Sequence, residues 1–515
     1  MYKQLSFGNK IFEDEWGIID VIDENKKSTN YIAIRKHIKN FDKLDELLKT
    51  KKLIGLSAWQ NYPELNVNPI GESEEENYTQ YTKLKEYHNK VILWCHCFKD
   101  PQNFIPPGVP VLLYSDSDQY AHLQKLVDIS KKNTNKEYDF FCSLPNGEWN
   151  SWIRGVDVAR KWLNYMADVM NLKILVGGGD RRPDFSEKIE FTGHLAWDVF
   201  LEKMNSCKYL FNASRYDASP RIIIEALCLN LPVLLNKDIL GGWKYINKST
   251  GSLFFYDQPI KNTVNKFIQN EYNPQQWMQI NFNIESNKKL LASTVNKLIS
   301  FKYEDFIDGI IFINLEDRTD RLKLITEEFN RMEIPLNMVH RIEGICNKVC
   351  GHLGCTKSHI KALEYAKEMK WKKFLILEDS FIFNLPKERV LYILSEFYKK
   401  YNDTWDVFMF TTYWNEKIDT DINFIKKILY GTTTCGYLVN HTYIDTLYDN
   451  FSESMKILEK EVEEFIISNP NEKKFTSAYA LDQYWKFLQK RDNFYISQPH
   501  IGSRSKSWSS IMTKK

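Results

Sequence analysis

The sequence predicts an α/β protein in which two Rossmann-like halves are followed by a further strand–helix domain. Short apolar runs of strand length alternate with stretches of helical spacing, which is the pattern of a mostly parallel sheet. The early runs fall into two clusters, 50–130 and 137–260, with a lysine- and asparagine-rich segment between them. A new series starts near Asp308. The predicted domains are therefore 1–130, 131–303 and 304–515.

Each predicted strand is one of these apolar runs. In the first two domains the runs are Leu53–Leu56, Val91–Trp94, Val111–Tyr114, Asp139–Cys142, Ile174–Val176, Ile189–Phe191, Tyr209–Phe211 and Val233–Leu235. In the third domain they are 310–315, 374–378, 406–410 and 434–439. Helices are predicted over 156–170, 197–206 and 318–332. A charged piece over 1–40 and a polar tail after Gly502 complete the chain.

Composition excludes several classes of partner. Lys plus Arg (69) and Asp plus Glu (67) nearly cancel, so nothing favours binding to nucleic acid or to an acidic membrane. The sequence contains no apolar run long enough for a signal peptide or a transmembrane helix, and a cytoplasmic protein is expected. Cys346, Cys350 and Cys355, with His352 nearby, lack the paired spacing of a zinc site. Reduced thiols packed near a loop are the expectation there.

Two adjacent acids end a predicted strand in the third domain. Glu378 and Asp379 follow the apolar run 374–377, and Ser380 comes next. Ligands of open α/β sheets bind beyond the carboxyl ends of strands. Adjacent carboxylates repel each other there, and a divalent cation would relieve that repulsion. The alternative is an exposed strand end with solvated acids.

The segments around these acids resemble glycosyltransferase family 25, which includes lipopolysaccharide-core transferases and procollagen galactosyltransferases. The resemblance covers 308–505 and rests on motifs that keep their order. These are FINLEDRTDRL, RIEG, GHLGCTKSHIKALEYA, FLILEDS, GYLVN and ALDQYW. It implies a GT-A-like fold that binds a nucleotide sugar and transfers the sugar with inversion.

The same resemblance implies roles for individual residues. The expected nucleotide- or substrate-binding residues are Asn314, Arg318, Arg321 and Ser358. Asp482 is the expected base that deprotonates the acceptor hydroxyl. Glu378, Asp379 and His500 are the expected ligands of Mn²⁺ or Mg²⁺. The family has a third acid where this chain has Ser380, so a metal ion should be held more weakly here.

The second strong signal is the segment 209–236. Asp217 and Glu225 stand eight residues apart, on either side of Ser219 and Pro220. Ser219 is expected to cap a helix, and Pro220 suits the first turn of that helix. The free N–H groups at such a helix start bind anions, so a diphosphate site is predicted. The alternative is an ordinary capped helix.

The segment 137–260 resembles GT-B glycosyltransferases of the family 4 type, with Asp217 replacing the first glutamate of their E-x7-E signature. Further matches are ILVGGG, which contains Gly177, EFTGHL, and Arg154 before a glycine. The resemblance implies that Glu225 binds the donor ribose and that Arg154 binds the diphosphate. It places Asp217 near the sugar as a catalytic residue, Gly177 and Ser219 at the substrate, and no metal in this part. The domain 1–130 is then the half that binds the acceptor.

The two resemblances together predict a glycosyltransferase, and the number of its active halves is open. A bifunctional enzyme would use nucleotide-sugar donors, UDP-linked in this reading, in both parts. The acceptor would be a hydroxyl of a glycan, a glycolipid or a protein. The alternatives are one catalytic half beside a degenerate acceptor- or nucleotide-binding half, and a lectin-like binder. A separate alternative makes Asp116 and Asp118, which follow a strand, the metal ligands of the first half.

Overall fold

The computed structural model describes residues 1–11, 17–35, 38, 40–57, 83–119, 123–132, 135–469 and 476–505. It contains two compact units. The first unit comprises 1–106 and 111–296, and the second comprises 107–110 and 297–515. The change of unit at Asn296 lies close to the predicted domain boundary at 303. No helix in the described part of the chain is both long and apolar enough to cross a membrane.

The first sheet of the first unit is mixed. Its six strands lie in chain order, β1 to β6. Their bounds are Leu5–Lys10, Ile18–Asp23, Ser28–Ile34, Lys52–Leu56, Val91–His96 and Val111–Leu113. The first three strands pair antiparallel, and β3 to β6 pair parallel. The prediction therefore holds for the parallel strands β4 to β6, whereas the piece over 1–40 contains three strands that were not expected.

The second sheet of the first unit is parallel throughout, as predicted. Its strands, β7 to β12, are Tyr138–Ser143, Ile174–Gly177, Glu190–Phe191, Cys207–Asn212, Val233–Asn236 and Gly251–Phe254. Their spatial order is β9-β8-β7-β10-β11-β12, which is the 3-2-1-4-5-6 order of a doubly wound sheet. The order reverses between β7 and β10, and such a switch point is where α/β sheets bind ligands.

Helices cover both faces of this second sheet. Those of the first unit, α1 to α9, are Phe41–Leu47, Leu123–Lys132, Glu148–Arg154, Val156–Asp168, Trp197–Asn205, Arg221–Cys228, Ile260–Gln269, Pro274–Asn281 and Ile284–Ser300. Phe140 packs in a core with α4 and α7, whereas its neighbour Phe141 packs in a core with α5 and α6. Successive strand residues thus pack into the cores on opposite faces of the sheet. Because both faces are covered, the buried parts of these strands are apolar at successive positions.

Two hydrogen bonds join Tyr2, near the beginning of the first unit, to Asn296, at the end of that unit. The backbone N–H of Tyr2 donates to Oδ1 of Asn296 at 3.1 Å. Nδ2 of Asn296 donates to the carbonyl of Tyr2 at 2.7 Å. Asn296 lies on α9, so the last helix of the unit holds the start of its first sheet.

The second unit is built on an eight-stranded mixed sheet. Its strands, with those of a small two-stranded sheet, are β13 to β22: Gly309–Asn314, Val339–Glu343, Lys373–Glu378, Phe381–Phe383, Val407–Met409, Tyr413–Asp419, Ile425–Thr432, Gly436–Asn440, Phe494–Ser497 and Gly502–Arg504. The order in the large sheet is β14-β13-β15-β20-β17-β21-β19-β18. β13, β14 and β15 pair parallel, and β20 pairs antiparallel to β15.

The helices of the second unit, α10 to α15, are Thr319–Arg331, Gly351–Glu368, Lys387–Tyr401, Ile444–Ser468, Leu481–Tyr484 and Lys486–Arg491. The loop after β13 and the end of β15 are neighbours because β13 and β15 pair in parallel. The topology therefore brings the predicted residues of FINLEDRTDRL and FLILEDS to one edge of the sheet.

Candidate functional site

A cavity of about 280 Å³ lies at the switch point of the second sheet. It is lined by Ser143, Arg154, Phe200, Asp217, Ser219, Arg221, Ile222 and Glu225. Ser143 ends β7, and Asp217 and Ser219 lie in the loop that follows β10. Four residues predicted from the sequence, namely Arg154, Asp217, Ser219 and Glu225, therefore converge on one cavity.

A glycine fixes the position of Arg154. Arg154 ends α3, and Gly155 follows in the left-handed conformation (φ 62°) before α4 begins. A Cβ atom on Gly155 would lie 2.3 Å from the carbonyl oxygen of Ala213, which belongs to the loop after β10. Only glycine allows this approach of the two backbones. The Nη1 atom of Arg154 consequently reaches the carboxylate of Asp217 and forms an ion pair with it.

The loop after β10 leads directly into α6. The backbone N–H of Ser219 donates to Oδ1 of Asp217 at 3.1 Å, which closes a tight local turn. The helix begins at Arg221, and Pro220 is its N-cap residue. The prediction that Ser219 caps the helix is therefore wrong, because the helix begins later than predicted. The hydroxyl of Ser219 instead lies 2.5 Å from that of Ser117.

The start of α6 opens onto the cavity. Its first residues, Arg221 and Ile222, are lining residues. The N–H groups in a first helical turn have no partner within the helix, and the helix dipole favours negative charge there. Arg221 adds a cation that the sequence analysis did not single out. A basic residue directly after the Ser-Pro pair was the available signal.

Glu225 is buried in the second turn of α6, with 6 % of its surface exposed. Its Oε1 atom accepts a hydrogen bond of 3.0 Å from the indole Nε1 of Trp197. Trp197, the first residue of α5, thereby orients the carboxylate that lines the cavity. This contact could not be predicted from the sequence, because Trp197 lies on a different helix.

Two glycines, the predicted Gly177 and Gly241, allow close packing next to the cavity. Gly177 ends β8 and is not among the cavity-lining residues. A Cβ atom there would lie 2.4 Å from the ring of Phe141, so Gly177 makes room for the core. The N–H of Gly241 donates to the carbonyl of Asp217 at 3.0 Å. A Cβ on Gly241 would lie 2.0 Å from the carbonyl of Ala218. Gly241 thus allows a second segment to pack against the 217–219 loop.

Asp118 belongs to a buried polar cluster in the first unit. Its carboxylate accepts hydrogen bonds from Lys244 Nζ at 2.6 Å, from Tyr245 Oη at 2.5 Å and from the N–H of Ser115 at 2.6 Å. The ammonium group of Lys244 balances the charge of this carboxylate, and the two other donors stabilise it further. Asp116 is the other acid of the alternative metal site predicted for the first half, and its side chain lies outside the described residues. Nearby, burial and the charge of Lys244 lower the pKa of His96 to about 4.

In the second unit, three predicted residues meet at the end of β15. Asp379 accepts hydrogen bonds of 2.9 Å from Nδ2 of Asn314 and of 2.9 Å from Nη1 of Arg321. The Arg321 and Asp379 side chains are 7 % and 8 % exposed, so this ion pair is buried. Burial raises the pKa of Asp379, although both donors act in the opposite direction. Arg318 pairs instead with Asp320, with two contacts of 2.8 Å.

Other predicted residues of this unit make contacts within the fold. The hydroxyl of Ser380 lies in the core, 3.4 Å from Cys435 Sγ. The Ser358 hydroxyl donates to the carbonyl of Gly354 and accepts from the N–H of Ile345, which ties α11 to the preceding loop. Asp482 is the second residue of the short helix α14, and its carboxylate accepts a hydrogen bond of 2.9 Å from the N–H of Thr433.

The predicted metal ligands do not form one cluster. His500 is half-buried, and burial together with Lys417 lowers its pKa. Within the described part of the chain, one group of His, Cys, Asp or Glu side chains converges closely enough for a metal, and it consists of Cys355, His359 and Glu378. Asp379 and His500 are not members of it. The set Glu378, Asp379 and His500 therefore does not fit a Mn²⁺ or Mg²⁺ ion as it is arranged.

A small cavity of about 70 Å³ adjoins this group. Its lining includes Cys355, His359, Glu378, Arg321 and Arg504. Burial acts to raise the pKa of Glu378, but His359, Arg504 and Thr434 outweigh it and the pKa is lowered. Burial, Glu378 and Asp482 raise the pKa of Cys355 well above its usual value.

No protein-family model and no curated protein matches the chain. Solved structures resemble about half of it. Sucrose-phosphate synthase from Thermosynechococcus elongatus is 14 % identical, covering 50 % of this chain and 70 % of its own (TM-score 0.36). TarM from S. aureus, in complex with UDP, is 12 % identical, covering 56 % and 64 % (TM-score 0.38). WaaG, a glycosyltransferase involved in lipopolysaccharide biosynthesis, is 16 % identical, covering 49 % and 77 % (TM-score 0.28).

Proposed function

We propose that the protein is a glycosyltransferase, a hexosyltransferase that binds a nucleotide sugar in the cavity of the first unit. The observation that carries this proposal is the convergence of Arg154, Asp217, Ser219 and Glu225 at the switch point of a doubly wound sheet. We take the donor to be a UDP-sugar, following the resemblance to GT-B enzymes. The acceptor is a hydroxyl group of a glycan, a glycolipid or a protein.

The diphosphate of the donor would lie at the start of α6. The guanidinium groups of Arg154 and Arg221 carry the positive charge, and the first-turn N–H groups of α6 supply further donors. Arginine matches phosphate geometry because it offers two parallel N–H donors. A nucleoside diphosphate therefore meets both charge and directed hydrogen bonds at this one place.

Glu225 would bind the ribose. Its carboxylate faces the cavity one helical turn beyond the anion-binding start of α6, and Trp197 holds its orientation. An ionised carboxylate accepts hydrogen bonds from vicinal hydroxyl groups, and such bonds to a charged group contribute roughly 1.5–3 kcal/mol. The spacing between diphosphate and ribose sites along α6 thus agrees with one nucleotide.

Asp217 would lie beside the transferred sugar. Its carboxylate is paired with Arg154. A bound diphosphate would share the guanidinium, leaving part of the negative charge of Asp217 for the sugar. Glycosyl transfer develops positive charge at the anomeric carbon, which a neighbouring carboxylate stabilises. This is the role proposed for Asp217 as the catalytic residue.

We further infer that the first unit alone carries the transfer. In the second unit Asp379 is held by Arg321 and Asn314, and Ser380 contributes a buried hydroxyl in place of an acid. A bifunctional enzyme would instead need a second donor site there, with Asp482 as the inverting base. The inference makes the second unit a binding domain.

Full-length protein with the substitution Glu225→Ala tests the donor site. We expect UDP binding, measured by calorimetry, to weaken by about tenfold or more, the equivalent of one hydrogen bond to a charged group. Glu202→Ala is the matched control, because Glu202 is an exposed glutamate on the adjacent helix α5. Equal UDP affinity of Glu225→Ala and wild type would contradict the assignment of the ribose site.

Product analysis with a panel of UDP-sugars and hydroxyl acceptors then distinguishes the three functions. If the first unit alone is active, Glu225→Ala lowers the rate of formation of every product at limiting UDP-sugar. If both units are active, one product forms in Glu225→Ala at the wild-type rate. A protein that only binds glycans would yield no product and no donor hydrolysis even as wild type.

A further inference from the structure

We propose that Cys355, His359 and Glu378 form a binding site for one transition-metal ion of the Zn²⁺ type. Cys355 and His359 lie on α11, and Glu378 ends β15. The site belongs to the second unit, and it does not depend on the transferase proposed for the first. Its ligand set also differs from the Mn²⁺ or Mg²⁺ set that the sequence predicted.

The spacing of the three ligand atoms suits a tetrahedral ion. The Cys355 sulfur, a His359 nitrogen and a Glu378 oxygen all lie within 4.8 Å of one another. Zinc bonds of about 2.0–2.3 Å at tetrahedral angles place the ligand atoms roughly 3.4–3.6 Å apart. His359 Nε2 lies 3.7 Å from Glu378 Oε1, which is already near that value. Small side-chain rotations would complete the geometry.

Cys355 and His359 are presented together by the helix. Residues four apart project from the same face of a helix, one turn from each other. The end of β15 then brings Glu378 to that face from a different element. Because two ligands lie on a regular helix and the third ends a strand of the sheet, the distances between the three ligand atoms can change little.

The environment of the His359 ring also indicates a bound ligand. It is completely buried, and its Nδ1 atom lies 2.8 Å from the hydroxyl of Tyr437. Its Nε2 atom is buried and has no hydrogen-bond partner among the described residues; Glu378 Oε1, 3.7 Å away, is within ion-pair distance but too far for a hydrogen bond. A buried nitrogen without a hydrogen bond is costly, and a metal ion between these two atoms would satisfy it. Tyr437 fixes the ring, as the outer partners of metal-bound histidines do.

The chemistry of the donors selects the class of metal. Metal binding releases the proton of the Cys355 thiol to solvent. The resulting thiolate and the Glu378 carboxylate carry two negative charges, which a divalent cation neutralises. Sulfur and imidazole ligands favour Zn²⁺, Co²⁺ and related ions over Mg²⁺ and Mn²⁺, which prefer oxygen. The oxygens of Asp379, the other acid at this strand end, are bonded to Arg321 and Asn314.

Three protein ligands leave a fourth position for another molecule. The adjoining cavity is lined by Arg321 and Arg504 as well as by the three ligands. Tetrahedral zinc with three protein ligands binds water or a substrate atom in the remaining position. Arg321 is paired with Asp379, which also lines the cavity, so Arg504 is the cation that favours an anionic oxygen there.

Cobalt provides the test, because a thiolate bound to Co²⁺ gives a charge-transfer absorption band in the near ultraviolet. Full-length protein, freed of metal by chelation, is titrated with Co²⁺ and then with Zn²⁺. We expect one Co²⁺ per chain, a thiolate band, and its loss when Zn²⁺ is added. Cys355→Ser should remove the band and weaken Zn²⁺ binding by at least about a hundredfold, since even outer-shell changes cost 10–100-fold. Cys346→Ser, an exposed cysteine on the preceding loop, should retain both.

Three results would overturn the proposal. They are the absence of a thiolate band in wild type, a band that persists in Cys355→Ser, and Mn²⁺ binding as tight as Zn²⁺ binding. If Cys355→Ser does not fold, Glu378→Gln replaces it, because this change keeps the shape of the side chain. Glu378→Gln must then lower Zn²⁺ affinity at least tenfold at unchanged circular dichroism, and equal affinity would exclude the site. None of these readouts uses transferase activity, so the two proposals can fail separately.

Discussion

Replacing Arg321 by methionine tests whether the acid at the end of β15 is a partner in a structural ion pair. The substitution keeps much of the apolar stem and removes the guanidinium that lies 2.9 Å from Asp379. Of the two side-chain donors described for Asp379, only the amide of Asn314 would remain. Both partners are more than nine-tenths buried, so solvent cannot replace the lost contact. Breaking a buried pair by removing one partner costs about 3–5 kcal/mol.

That cost converts into a large shift of the melting temperature. For a unit of about 200 residues, 1 kcal/mol corresponds to roughly 2–4 °C, so Arg321→Met should lower Tm by roughly 6–20 °C. The double variant Arg321→Met/Asp379→Asn should recover most of it, because no charge is then buried alone. Lys323→Met on the same helix is the control, since its ion pair is exposed. Calorimetric melting that shows no loss in Arg321→Met, or no recovery in the double variant, would refute the reasoning.

Two further predictions concern the first unit. Gly155→Ala should destabilise the first unit by roughly 1–3 kcal/mol and weaken UDP binding, because φ is +62° and Ala213 leaves no room for a Cβ. Gly147→Ala is the control, since Gly147 also has a positive φ but no close neighbour. Equal losses of stability in the two variants would count against the steric argument. The depressed pKa of His96, about 4 against an ordinary value near 6.5, means that the unfolded chain binds the extra proton. His96 therefore makes the free energy of unfolding about 3 kcal/mol larger above pH 6.5 than at low pH, and this difference is lost as the pH falls through 4. Urea unfolding of His96→Asn should depend less on pH in that window, and an unchanged slope would reject this assignment.

The sequence was informative where structure is local and buried. The strand Val233–Asn236 and the 210–212 end of the strand Cys207–Asn212 are buried, and each shows as a short apolar run in the sequence. The antiparallel strand Leu5–Lys10 is buried only at its start, and its last three residues (Gly8, Asn9 and Lys10) are not apolar, so the pattern did not indicate a strand. The loop and helix of 217–225 form a contiguous segment, so the proposed anion site could be predicted from one stretch of chain.

The remaining features depend on contacts between distant residues. Nothing in the sequence indicates that Asp379 pairs with Arg321, because the two lie on different elements, 58 residues apart. The group of Cys355, His359 and Glu378 was likewise hidden, although the i, i+4 spacing of Cys355 and His359 on a helix was a usable signal. The hydroxyl of Ser380 contacts Cys435, which only the pairing of β15 with β20 makes possible. Pairwise contacts of this kind follow from strand order, which no single segment encodes.

The reciprocal hydrogen bonds between Tyr2 and Asn296 have a consequence for synthesis on the ribosome. The two residues are 294 positions apart, so this contact forms only after α9 has emerged. At translation rates of about 5–20 residues per second, the start of the chain waits roughly 15–60 s for its partner. During that interval α9 is not present to hold Tyr2, which precedes the edge strand β1. A nascent chain stalled before residue 296 should therefore be more sensitive to protease near Tyr2 than one released after α9 is complete.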